Sequence, residues 1–306
     1  MSSKFKQLRE LVEVWLTAHF ARDVSDAGKL WQAMSYSTLG GGKRFRPVLA
    51  LAVAEALGVE FERARSWALA VEFLHCASLI HDDLPALDDD DLRRGRATTH
   101  REFNEATAVL AGDALIAQAF AVVSDDQALD GQTRASLISL LARTLQLLCE
   151  GQELDLIAER TAARRPADQL SSSDDRGIVH QELLVRHRKK TGALIAAACG
   201  GVTYLHSDPV EVSVYDSWYR FGETLGLLFQ ISDDILDATG STDELGKEVG
   251  ADAAGNVPTF VSAFGLDGAA EQMQSVLEEA CDLLPAREGK SEFLQYLCGV
   301  IVSRRA

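Results

Sequence analysis

Basic residues are in short supply in this 306-residue chain: 30 Lys and Arg stand against 46 Asp and Glu, a formal net charge of −16. That balance excludes a general nucleic-acid binder, because neutralising a phosphate backbone takes clustered Lys and Arg. Strand-like alternation of β-branched residues is nearly absent, which argues against a sheet-rich fold. The five cysteines, Cys76, Cys149, Cys199, Cys281 and Cys298, lie far apart, with no CxxC spacing and no short disulfide framework. They read as reduced thiols packed as small hydrophobes. No apolar run reaches the roughly 20 unbroken residues of a membrane helix, since the longest, Thr107 to Val123, contains Asp113 and Gln118. The N-terminal MSSKFKQLRELVEVWL is too charged for a signal peptide. A cytoplasmic protein without membrane insertion is expected.

What is present is helical periodicity. Leu8, Leu11, Val12, Trp15 and Leu16 follow the spacing of one apolar helix face, as do Leu137, Leu140, Leu141, Leu145 and Leu148. Stretches rich in Ala and Leu, both strong helix formers, recur at 48–81, 106–123, 191–205 and 214–236. Five of the six prolines, Pro47, Pro85, Pro209, Pro258 and Pro285, fall at or near helix boundaries. One polar stretch, Arg164 to Gly177, reads as a surface loop rather than a linker, because helical patterning continues on both sides. There is no internal repeat at a period of 20–50 residues. The expectation is an all-α protein, one domain over 1–306.

Two acidic motifs stand about 150 residues apart. The first reads Asp82-Asp83-Leu84-Pro85-Ala86-Leu87-Asp88-Asp89-Asp90-Asp91, followed by Leu92-Arg93-Arg94-Gly95-Arg96. So many carboxylates repel one another unless cations sit among them. Mg²⁺ suits them, since it takes a few carboxylates and fills its shell with water and phosphate oxygens. Pro85 stops a regular helix here, letting Asp88 fold back toward Asp82. The arginines suit a phosphate ligand. Standing alone, such a run reads more readily as a solvated loop. In the second motif, Phe229 to Asp237, Asp233 and Asp237 lie one helical turn apart and point the same way. Like charges at that spacing destabilise a helix by a few tenths of a kcal/mol, which a bound cation would offset. Each motif ends an apolar helical stretch, so the pair could face one cavity and hold a diphosphate through metals, with Lewis-acid catalysis of its departure.

Over nearly its whole length the sequence resembles the trans-isoprenyl diphosphate synthases, the polyprenyl synthetase family. The motifs that carry the resemblance are Gly40-Gly41-Gly42-Lys43-Arg44-Phe45-Arg46-Pro47, His75, both aspartate blocks, Gly112-Asp113, Gly151-Gln152, Lys190-Thr191-Gly192 and Leu245-Gly246-Lys247. The two extra residues inside the first motif look like the bacterial short-chain members. The resemblance implies a single large antiparallel helical bundle around a central cavity, an Mg²⁺-dependent prenyltransferase and a homodimer. Asp82 and Asp88 would bind two Mg²⁺ and Asp233 a third, with Asp237 and Asp252 acting through water. Lys43, Arg46 and His75 would grip isopentenyl diphosphate, with Arg94 reaching toward it. Arg93, Lys190 and Lys247 would hold the allylic diphosphate. The oxygens of Thr191 and Gln230 would face the developing carbocation. A terpene cyclase or a non-catalytic synthase subunit is disfavoured, because the isopentenyl site residues and the aspartates are all present.

Two positions depart from that pattern. Family members usually carry a second lysine about ten residues after Lys247, where this chain has Val257. Bacterial farnesyl synthases commonly carry a large aromatic five residues before the first aspartate; here it is Ala77. A methyl group would not stop a growing chain, and Phe73 and Leu74 lie about 5.4 Å deeper, one helical turn. The expected product is therefore geranylgeranyl diphosphate, with farnesyl diphosphate as the alternative if another bulky side chain, such as Phe120, refills the space.

Overall fold

In a computed structural model, the described residues are 1–21, 28–162, 173–206, 210–239, 258–284 and 291–303. They are almost entirely helical: α1 (Ser2–Phe20), α2 (Gly28–Leu39), α3 (Phe45–Leu57), α4 (Phe61–Asp82), α5 (Thr99–Glu102) and α6 (Glu105–Ser124) open the chain. α7 (Gly131–Ala162), α8 (Ser173–His187), a π-helical turn (Arg188–Gly192), α9 (Ala193–His206), α10 (Val212–Thr239), α11 (Phe260–Asp282) and α12 (Glu292–Val302) follow. Among the described residues the only sheet is a two-residue pairing of β1 (Leu92–Arg93) with β2 (Arg96–Ala97). The fold is all-α, as its sequence predicts.

The chain forms two compact units. One takes Met1–Ala142 and Ala197–Tyr215, the other Arg143–Ala196 and Asp216–Ala306. In the first, α4 is the central element, packed against α3, α6, α1 and α2. Its burial runs all round, from Trp67 and Leu69 to Phe73, Leu74, Ala77 and Ile80, as expected of a helix without a polar face. Leu8, Val12, Trp15 and Leu16 of α1 are buried on the predicted stripe. α6 buries Ala108, Ala111, Leu115 and Ala119 and makes its main packing contact with α4. By length and composition it is the one described helix that could cross a bilayer, a length the sequence reading had discounted because of Asp113 and Gln118.

In the second unit, close helix approaches surround the π turn. A Cβ on Gly151 of α7 would lie 2.2 Å from the Lys190 backbone nitrogen, and one on Gly226 of α10 would lie 2.4 Å from the Gly192 Cα. Both approaches require a missing side chain. α8 begins at Ser173, inside the stretch expected to be loop. A Ser- and Asp-rich sequence also marks a helix start, and 163–172 lie outside the described residues.

Candidate active site

The first aspartate motif begins where α4 ends. Pro85 follows, the chain turns, and the Asp88 amide donates to the Asp82 carbonyl at 2.9 Å, so the two residues meet through the backbone as Pro85 suggested. The adjacent aspartates divide their work. Asp82 is half-buried, whereas Asp83 is buried and pairs with Arg93, whose other nitrogen reaches Asp90 at 2.8 Å. Asp88 is exposed. The second motif repeats the division: Asp233 and Asp237 are half-buried, while Asp234 is buried and accepts the Phe260 amide at 2.7 Å, an otherwise orphaned donor at the start of α11. Neighbouring residues on a helix point about 100° apart, so one of each pair turns inward.

A second cluster gathers cations near the first motif. Arg94 and Gly95 have φ of 55° and 73°, the two positive values of a type I′ hairpin turn. That turn swings the Arg94 guanidinium over Gly42 (φ 129°), where a Cβ would sit 2.8 Å from its central carbon, and the guanidinium donates to the Gly41 carbonyl. The glycine run is thus space for an arginine rather than a flexible segment. Arg46 approaches His75 at 3.3 Å, and Lys43 is exposed. Burial, then the charges of Arg46, Arg94, Arg44 and Arg93, holds the His75 pKa well below its ordinary value, so the ring is neutral at pH 7. Arg94 and Arg93 also line a small cleft with Tyr36, Gly40 and Arg96.

Arg44, between Lys43 and Arg46, does something else. Its side chain is fully buried, bonded to Glu72 (2.7 Å), Glu13 (2.8 Å) and the Thr38 carbonyl (2.7 Å). Sequence reasoning singled out neither Glu72 nor this division among three neighbouring cations. A charged residue inside the apolar α4 pattern was the available signal.

In the second unit, the π turn carries Lys190 and Thr191, and π-helical insertions recur at functional sites. The Thr191 hydroxyl donates to Gln230 Oε1 at 2.8 Å, joining two residues assigned to one role. His187 precedes them, buried and stacked on Phe260 at 5.7 Å; burial, then Arg186, pushes its pKa down to about 3. Lys190 pairs with Asp155, and Lys189 with Glu150 at 2.7 Å. Asp155, which the sequence reading did not single out, follows Gly151-Gln152 by three positions. Lys247, Asp252 and Val257 lie outside the described residues.

Carboxylates on rigid helix ends, cations beside them and a Thr–Gln pair suit diphosphate chemistry, and the polyprenyl synthetase family model matches residues 28–296. The chain belongs to that family. It is 40% identical over 283 residues to farnesyl diphosphate synthase of Haemophilus influenzae, covering 91% of this chain and 90% of that protein. Identity to the Escherichia coli farnesyl diphosphate synthase is 41% over 255 residues, 81% and 79% of the two chains. A solved FPP/GFPP synthase from Zymomonas mobilis matches with a TM-score of 0.82 at 31% identity, over 99% of this chain and 100% of that one. The protein is a prenyltransferase, a trans-prenyl chain-elongating synthase.

Polyprenyl synthetases depend on Mg²⁺, and the residues here fit it. Among the described residues no three His, Cys, Asp or Glu side chains form a ready cage. A Mg²⁺ site completed by water and substrate phosphates needs only one or two carboxylates, which Asp82 with Asp88, and Asp233, can supply.

Proposed function

We propose that this synthase condenses isopentenyl diphosphate head-to-tail with dimethylallyl and geranyl diphosphates and releases farnesyl diphosphate. The observation that carries this product length is the burial of Ala77, at 0% exposure. Its methyl group is already covered, so no open lane runs over it. Phe73, also at 0%, has its ring against His19 (4.8 Å) and Phe20 (5.9 Å), which holds it in place. Farnesyl synthases at 35–41% identity among the relatives support the same length. This reverses the order expected from the small side chain alone. Geranylgeranyl diphosphate is the second reading, favoured by the missing aromatic at position 77.

In this reading Lys43, Arg46, His75 and Arg94 receive the isopentenyl diphosphate, and Arg93, Lys190 and Lys247 the allylic diphosphate. Asp82, Asp88 and Asp233 would hold three Mg²⁺, which would supply Lewis-acid neutralisation of the leaving diphosphate. The allylic C–O bond breaks, the alkene attacks the cation, and a proton leaves to a diphosphate oxygen. Thr191 and Gln230 direct oxygen lone pairs at the cation without attacking it. The enzyme acts as a cytoplasmic homodimer, one catalytic domain over 1–306; exposed Val109 and Leu110 on α6 supply an apolar face for a second copy.

The test is incubation with Mg²⁺, geranyl diphosphate and labelled isopentenyl diphosphate, then chromatography of the dephosphorylated products of wild type and Ala77→Tyr. Farnesol from both supports the reading. Geranylgeraniol from wild type, shortened to farnesol by Ala77→Tyr, would establish the second reading. Cyclic hydrocarbons would overturn both.

A further inference from the structure

Consecutive lysines on the π turn reach different acids of α7. Lys189 goes to Glu150 at the more exposed side, and Lys190 to Asp155, whose side chain is 19% exposed. Five residues along a helix is a rotation of about 140°, so the two acids pull the lysines apart. The contact is fixed at a second point one turn earlier, where Gly151 lets α7 touch the Lys190 backbone. Asp155 is itself held: Arg186, 8% exposed, approaches it at 3.3 Å and donates to the Pro258 carbonyl at 2.7 Å.

The formal charges of this trio leave a net of +1. A carboxylate paired with Lys190 alone would cancel the ammonium; the buried guanidinium beside it restores the positive charge. A lysine stem is long and flexible, so one held in place before substrate arrives loses less freedom on binding an anion.

We propose that Asp155 is a positioning residue for prenyl transfer: anchored by Arg186, it presents the Lys190 ammonium in one place to the allylic diphosphate. This rests on the role of Lys190 given above. Asp155→Asn keeps the shape but leaves two cations without their shared anion, so Lys190 moves away.

The experiment is a double-mutant cycle on the full enzyme with Mg²⁺, measuring kcat and both Michaelis constants for wild type, Asp155→Asn, Lys190→Gln and the double variant, alongside melting temperature. Asp155→Asn is expected to lower kcat/KM for geranyl diphosphate by about 100-fold, the scale of an ångström of misplacement. The Michaelis constant for isopentenyl diphosphate should stay within about twofold, and adding Asp155→Asn to Lys190→Gln should cost less than about twofold more. Equal losses in both backgrounds, or a fall in melting temperature with unchanged kinetics, would overturn the inference while leaving the role of Lys190 intact. Full activity of Lys190→Gln would overturn both.

Discussion

Glu72→Gln should loosen the floor beneath the isopentenyl diphosphate residues. Arg44 has 0% side-chain exposure and Glu72 2%, so the pair lies where water cannot replace a lost partner. Burial works against the Arg44 charge, and Glu72 with Glu13 more than offsets it, holding its pKa above the ordinary value. Breaking a buried pair by removing one charge costs about 3–5 kcal/mol. Arg44 keeps Glu13 and the Thr38 carbonyl, and the new amide keeps an acceptor oxygen, so the low end, about 3 kcal/mol, is expected. With an unfolding entropy of about 2.1 cal/mol/K per residue, that is a fall in melting temperature of about 5 °C. Function should follow: Arg44 sits at φ 50° just before α3, and releasing it frees Lys43 and Arg46 on either side, raising the Michaelis constant for isopentenyl diphosphate more than that for geranyl diphosphate. Calorimetry and steady-state kinetics measure both. Arg44→Met with Glu72→Leu should recover most of the stability, because apolar replacements of a buried pair cost little. A shift under about 1 °C for Glu72→Gln, or a double variant worse than either single one, would refute the account.

Asp82→Asn and Asp233→Asn should each lower turnover at least 100-fold, the scale of losing one transition-state contact, with unchanged circular dichroism; activity within about threefold for both would end the metal assignment. Val257→Lys should lower the Michaelis constant for the allylic substrate and leave that for isopentenyl diphosphate alone, by adding a charge-assisted contact of about 1.5–3 kcal/mol; no change in either constant would mean that another cation, such as Lys189, already fills that role. Iodoacetamide at pH 8 should label exposed Cys149 first, since burial, then Glu72, pushes the Cys76 thiol up to about 12 and burial does the same for Cys298. Rapid modification of Cys76 in the folded protein, read by mass spectrometry, would contradict that burial.

The helical class and some helix boundaries were legible because periodicity and breakers act locally: the α1 stripe, the stop at Pro85 and the start of α11 after Pro258 need only neighbours in the chain. The aspartate blocks were legible as candidate cation sites only as a pair and through the family resemblance, since a single acidic run reads more readily as a solvated loop. What remained hidden depends on residues far apart in sequence. Nothing local distinguishes Arg44 from Lys43 and Arg46, and only α4 passing beneath with Glu72 sends one of the three inward. Nothing in Lys189-Lys190 says which acid of α7 each lysine meets; the π turn, allowed by Gly151 and Gly226, sets that. Ala77 reads as a gap from its own size, yet its methyl is covered once the helices close around it. Amino-acid type determined fold class and reaction chemistry here, while the direction of each charge and the space over each small side chain were decided by packing, because burial and electrostatic pairing are properties of neighbours in space.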